Sequence, residues 1–166
     1  VSPVTKFHSG AGYQYEDSVI YGFTHTNKGH WNLCHIPLLP VTGTPTPGDY
    51  CSPFSHERES AAPGYYQVFL DRYGVDAQLS STLRCAFHKY TYPAGAAPAV
   101  LADLQRSNEH VRAWDIRKEG DNVFAGWQQT GEKMYFYAVA NRPVTGIEPV
   151  VEGDREVRIV RFGEGD

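Results

Sequence analysis

From Pro63-Gly64 onward, short runs of apolar residues alternate with clusters of Gly, Asn and Asp. Residues 65–70 and 75–79 form two such runs around a turn-like Asp71–Gly74 segment. Over 82–92 the side chains alternate: Leu83, Cys85 and Phe87 fall on one side, Arg84, Ala86, His88 and Tyr90 on the other. A period of two marks a half-buried strand. Further strands are predicted over 98–104, 111–117, 123–128, 134–140 and 156–162, with turns at 119–122 and Gly131. Upstream, residues 1–18 carry Pro3, Gly10 and Gly12 and read as a loop with at most a short strand. Strands are expected over 19–24 and about 34–40. Residues 41–60, dense in Pro, Gly, Ser and Thr, cannot sustain a helix or a central strand. Helical periodicity never persists beyond about two turns, 99–107 being the weak exception. Short strands at this spacing predict an all-β fold, an antiparallel sandwich or barrel-like domain.

The stretch from Tyr13 to Leu39 organises this pattern. Between its two expected strands, His25, Asn27, Lys28, His30, Trp31 and Asn32 fall within eight positions. Recognition side chains crowded onto a loop between strands suit a binding site. Trp31 can stack on a pyranose face, while His, Asn and Lys supply hydrogen bonds or a charge. A polar loop capping the sheet, with Trp31 in the core, accounts for the same residues. His25, His30 and His35 invite a zinc reading. Their spacing of five makes no helical i,i+4 pair, however, and no nearby Cys or acid completes a set, so no metal ligand is assigned. In 54–60, FSHERES, a pair from His56, Glu57 and Glu59 would suit acid/base chemistry. Glycosidases place two carboxyl groups across the scissile bond, which adjacent acids in one loop rarely achieve. Pairing of Glu57 or Glu59 with Arg58 or a neighbouring strand explains the motif equally well.

At 166 residues the chain is read as one β-sandwich domain over 1–166, with long loops at about 24–34 and 41–63. Aromatic residues make up 13%, with eleven Tyr; such amphipathic rings suit carbohydrate surfaces, and they also favour strands. A net charge of −4 without basic clusters argues against nucleic acid. No apolar run approaches the roughly 20 residues needed to cross a bilayer, so no membrane insertion is expected. The sequence opens on Val1, which leaves room for a signal or further N-terminal residues. Of the three cysteines, Cys34 and Cys51 flank the proline-rich loop and can bridge in an oxidising compartment; Cys85 reads as a small buried apolar residue.

The segments GYQYEDSVIYGFTHT and FSHERESAAPGYYQVFLDRYGVDAQLSSTLRCAFHKYTYP, in this order, resemble the N-terminal β-sandwich domain of glycoside hydrolase family 92. The resemblance runs over about 2–104 and more faintly to 140. It implies a calcium-dependent exo-α-mannosidase acting with inversion on a mannose-containing glycan. It also implies that the sandwich packs against an (α/α)6 barrel, absent from this chain, which holds the acid, the base and the calcium ligands. No catalytic residue is therefore expected here, and the chain alone is expected to be inactive. The same resemblance places His25, Lys28, His30, Trp31 and Asn32 at the substrate pocket, with Gly12 and Tyr13 on its rim. Where common members carry a glycine- and threonine-containing sequence, this chain reads THTNKGHWNL. Lys28 and His30 would favour an anionic aglycone such as a mannose-1-phospho-6-mannose cap. A secreted or periplasmic location is expected. The rival readings are a stand-alone lectin-like sandwich and a plain interaction module.

Overall fold

The run Ala99-Val100-Leu101-Ala102 has no polar position because the strand it forms is covered on both faces. Ala99 and Leu101 point into one apolar cluster and Ala102 into another. In the computed structural model, which describes residues 1–163, this strand lies inside a central sheet with a further sheet on either side.

The elements in chain order are β1 (Ser2–Val4), β2 (Val19–Ile20), β3 (Gly22–Thr24), β4 (Asn27–Lys28), β5 (Trp31–Asn32) and β6 (Leu38–Val41). Then come β7 (Ser52–Pro53), a 3-10 turn (His56–Arg58), β8 (Glu59–Ala62), β9 (Tyr65–Leu70), β10 (Val75–Ser81) and β11 (Ala86–Thr91). The last six are β12 (Ala99–Ala102), β13 (Ala113–Gly120), β14 (Val123–Gln129), β15 (Lys133–Val139), β16 (Val144–Glu152) and β17 (Arg155–Phe162). The central sheet has the order β1-β3-β6-β12-β17-β16; the flanking sheets are β11-β10-β9-β8 and β13-β14-β15. The pairings among these three sheets are antiparallel.

Phe23, Leu39, Leu101 and Ile159 of the central sheet meet Val68, Leu70, Val75 and Leu79 of the β8–β11 sheet. On the other face, Ala102 and Val160 meet Ile116 and Phe124 of the β13–β15 sheet. The all-β antiparallel expectation holds, and the strand over 65–70 falls where the alternation placed it.

Several boundaries differ, each for a visible reason. The run 19–24 divides at Tyr21, because Val19 and Ile20 pair with β7 while Phe23 pairs with Leu38 and Pro3. Residues 34–37 are not strand: Cys34 and Ile36 have φ of 52° and 53°, the left-handed region that side-chain-bearing residues rarely enter. Hydrogen bonds from Cys34 N to Asn32 Oδ1 (2.8 Å) and from Ile36 N to Gln128 Oε1 (2.9 Å) hold them there. The 41–63 loop contains β7, the 3-10 turn and the edge strand β8. The weak helical segment at 99–107 contributes β12 instead.

Across 86–91 the alternation is real, but the aromatic-polar face is the inner one. His88 and Tyr90 pack on Phe23 at ring distances of 6.3 and 6.4 Å, whereas Phe87 is exposed. Cys85 corrects the sequence reading: it is exposed beside the 82–85 turn, with Leu83 95% exposed. Strand β16 escapes the pattern because Gly146 and Pro149 interrupt it. As an edge strand it needs only one side of hydrogen bonds, so proline is tolerated.

Truncating Leu101, fully buried in β12, should cost about 2–5 kcal/mol. Leu83→Ser should stay within about 0.5 kcal/mol. Denaturant unfolding of both variants checks the contrast, and equal losses would refute the placement of the core.

Candidate functional site

Hairpin β4–β5 pairs Lys28 with Trp31 and Asn27 with Asn32. Gly29, at φ +61°, permits its tight turn. Directly paired residues project to the same face of a ribbon, so Lys28 and Trp31 stand side by side. They form one wall of a cleft of about 530 Å³, continued by Leu33. His8 and Gly10 of the N-terminal loop form its second wall, and Asn108 and Glu109 its third.

One side chain ties these walls together. Asn108 donates from Nδ2 to Asn32 O (2.6 Å) and accepts at Oδ1 from His8 N (2.5 Å). Its own N–H donates to Leu33 O (2.9 Å), and Asn32 N donates to Gly10 O (2.7 Å). Arg106, in the same loop, stands 4.2 Å over the Phe7 ring and so anchors the N-terminal segment.

Glu109 is fixed from behind. Its Oε2 accepts from Thr130 Oγ1 (2.8 Å) and from His35 Nε2 (3.0 Å). His35 is buried, and its Nδ1 lies 3.0 Å from Thr26 Oγ1. A carboxylate can only accept, so His35 donates from Nε2, and the neutral ring in that tautomer accepts a hydrogen bond from the Thr26 hydroxyl at Nδ1. The Thr130 hydroxyl, then His35 and finally the Lys28 charge hold the Glu109 carboxyl below its ordinary pKa. Glu109 is thus an anion facing the cleft.

Of the residues singled out from sequence, Lys28 and Trp31 line the cleft, and Trp31 is 55% exposed. His30 is exposed at the hairpin turn with its ring 5.9 Å from that of Trp31, and it is not among the lining residues. Asn32 is buried behind the hairpin, its Oδ1 accepting from Thr24 Oγ1 (3.1 Å) and Cys34 N (2.8 Å). Gly12, at φ +77°, packs against it: a Cβ there would lie 2.6 Å from Asn32 Nδ2. Tyr13 donates to Glu59 Oε2 (3.0 Å), and burial and that carboxylate push its phenol pKa up.

His25 turns to the opposite side, with Nε2 2.8 Å from Nε2 of His88. Burial lowers His25 to about 4 and, together with the His25 charge, lowers His88 to about 3. Both imidazoles are therefore neutral near pH 7.

The FSHERES segment is occupied by internal contacts. Glu59 accepts from Tyr13, from Tyr66 (2.6 Å) and from His56 Nδ1 (2.5 Å), while His56 Nε2 donates to Tyr15 O (2.7 Å). Arg58 pairs with Asp71 rather than with either glutamate. Cys34 and Cys51 are both free thiols. Calcium takes six to eight oxygen ligands, and among the described residues no three His, Cys, Asp or Glu side chains converge to hold a metal ion. The calcium that the resemblance implies is assigned to the barrel, and this chain's described side chains offer it no cluster.

A protein-family model, the glycosyl hydrolase family 92 N-terminal domain, matches residues 1–159. The chain belongs to this family. Its fold is similar to that of a family GH92 α-mannosidase of Bacteroides thetaiotaomicron, with a TM-score of 0.84 at 24% identity over 99% of this chain and 28% of that one. The same enzyme in complex with mannoimidazole gives 0.83 at 24% identity, over 99% and 27% of the two chains. A GH92 inverting mannosidase of that organism gives 0.78 at 21% identity, over 98% and 25%. The chain thus spans about a quarter of the length of these enzymes. No protein with a curated description matches it.

Sequence reasoning missed His8, Leu33, Asn108 and Glu109 of this family 92 domain's cleft. The only local signal is the polar run Ser107-Asn108-Glu109-His110, which lies more than 70 residues from the hairpin it faces.

The half-buried imidazole pair should make the domain acid-labile. Folded-state pKa values of about 4 and 3 lie below the ordinary 6.5, so the unfolded chain binds protons first as pH falls. Stability is full above pH ~6.5 and drops towards pH ~4, by about 1.4 kcal/mol per pH unit for each histidine. Urea unfolding at pH 7 and pH 5 should show this fall, and His88→Gln should flatten it. A stability unchanged between those pH values would exclude a neutral, half-buried pair.

Proposed function

We propose that this chain is the sandwich module of an α-mannosidase that removes terminal α-mannosyl residues with inversion. The cleft at the 27–32 hairpin would form the wall of its leaving-group subsite. The supporting observation is that a family 92 N-terminal domain presents Trp31 and Lys28 side by side at an open cleft. An exposed indole offers a flat apolar face for a sugar ring, and the ammonium donates to its hydroxyls. The acid that protonates the leaving oxygen and the base that activates water are assigned to the (α/α)6 barrel, 6.5–9.5 Å apart as inversion generally requires. When bound there, calcium would supply positive charge that helps orient and distort the mannose. The residues of this chain bind and orient the aglycone and exclude water from the pocket wall.

In the complete enzyme, Trp31→Ala should raise KM for an α-mannobiose about three- to tenfold, as for the loss of roughly 0.5–1.5 kcal/mol of aromatic stacking. An unchanged KM on every α-mannoside would refute the subsite. Direct sugar binding by this chain alone, with no effect of Trp31→Ala on the complete enzyme, would favour the lectin-like reading.

The narrower reading, cleavage of a mannose-1-phospho-6-mannose cap, has Lys28 in its favour and the Glu109 anion against it. Lys28→Ala separates the two aglycones. A loss far larger on the phosphodiester than on mannobiose would support the cap; comparable losses, the outcome expected with Glu109 in the cleft, would dismiss it.

A further inference from the structure

Lys28 and Glu109 face one cleft but form no direct ion pair. The backing hydrogen bonds converge on one oxygen of Glu109: Thr130 and His35 both reach Oε2, and none of the described hydrogen bonds reaches Oε1. The carboxylate is clamped on one side and open on the other, with its side chain 44% exposed. The cleft therefore offers a fixed acceptor and an exposed donor, separated by more than contact distance, with an exposed indole beside them.

A ligand that fills that gap must donate to Oε1 and accept from Nζ. Hydroxyl groups do both, and a carbohydrate carries them on vicinal carbons beside an apolar ring face. A phosphate anion only accepts. It would gain from Lys28 but meet Glu109 as a like charge.

We propose that Glu109 is a specificity-determining binding residue: its Oε1 accepts a hydroxyl of a neutral sugar whose neighbouring hydroxyl accepts from Lys28, and it disfavours a phosphorylated aglycone. His35 is a positioning residue, donating to the carboxylate through Nε2 while its Nδ1 rests on the Thr26 hydroxyl. This inference rests on the cleft being the leaving-group wall of the mannosidase.

The test uses the complete enzyme and the variant Glu109→Gln, with mannobiose and mannose 6-phosphate as competitive inhibitors of an aryl α-mannoside. The amide keeps the shape of the carboxylate and removes its charge. The Ki of mannobiose should rise about tenfold or more, the factor for a hydrogen bond to a charged group, and that of mannose 6-phosphate should fall. Opposite shifts are the signature, since a merely structural defect would weaken both ligands. An unchanged Ki for mannobiose, or shifts of the same sign, would overturn the proposal. If Glu109→Gln does not fold, Glu109→Asp withdraws the carboxylate by one carbon and keeps its charge. Mannobiose should then weaken while mannose 6-phosphate stays excluded, and an unaltered mannobiose Ki overturns the proposal. A wild-type enzyme that cleaves no α-mannoside refutes the functional reading and this inference together. A wild-type enzyme that cleaves while Glu109→Gln leaves the mannobiose Ki unaltered refutes this inference alone.

Discussion

Burial of the central sheet on both faces is the constraint on which the other features depend. Strand β12 is buried at every position, and its neighbour β17 sends Ile159 to one cluster and Val160 to the other, so the β8–β11 sheet covers one face and the β13–β15 sheet the other. Apolar burial at roughly 25 cal/mol per Å² is the main favourable contribution of such a stack. The edges are handled differently. Strand β16 closes one side of the central sheet with Pro149 and Gly146 in place, and a proline at an edge blunts further pairing.

The cleft stands on this stack at second hand. The hairpin makes no long ladder with the main sheets, and its position is set by hydrogen bonds from neighbouring loops. Asn108 reaches the N-terminal loop, Asn32 and Leu33, while Asn32 satisfies the backbone of Cys34 in a left-handed conformation. Cys34 and Ile36 take left-handed backbone conformations in the connection between the hairpin and β6. Such conformations persist where surrounding bonds over-determine them, and here Asn32 and Gln128 do so.

Charge is distributed unevenly around the hairpin. On the side of His25 the polar groups are neutral and enclosed, two imidazoles sharing a hydrogen bond against Tyr90 and Phe23. On the side of Lys28 the charges are open to solvent, and Glu109 is ionised by the donors behind it. The chain on either side of the hairpin thus separates a half-buried structural pair from a surface able to meet a ligand. His25 lies in the connection between β3 and β4, where its ring reaches His88, while Lys28 on β4 stands beside Trp31.

The sequence by itself determined the strand-rich fold. Apolar runs bounded by turn residues marked 65–70, 75–79 and 123–128 because those signals are local, set by strand-favouring side chains and by the conformational freedom of Gly, Asn and Asp. The motifs around GF-HT and FSHERES pointed to the family, and the hairpin carrying Lys28 and Trp31 stood out by its composition. The tertiary structure alone decided which face of 86–91 is buried, since aromatic His88 and Tyr90 compete with Phe87 and only the position of Phe23 selects between them. It alone brought Glu109 and Asn108 opposite the hairpin, because no residue type signals a partner more than 70 positions away. It alone made Asn32 and Gly12 braces behind the cleft: a side chain's role follows from the backbone groups left unpaired beside it, and those exist only once the chain has closed on itself.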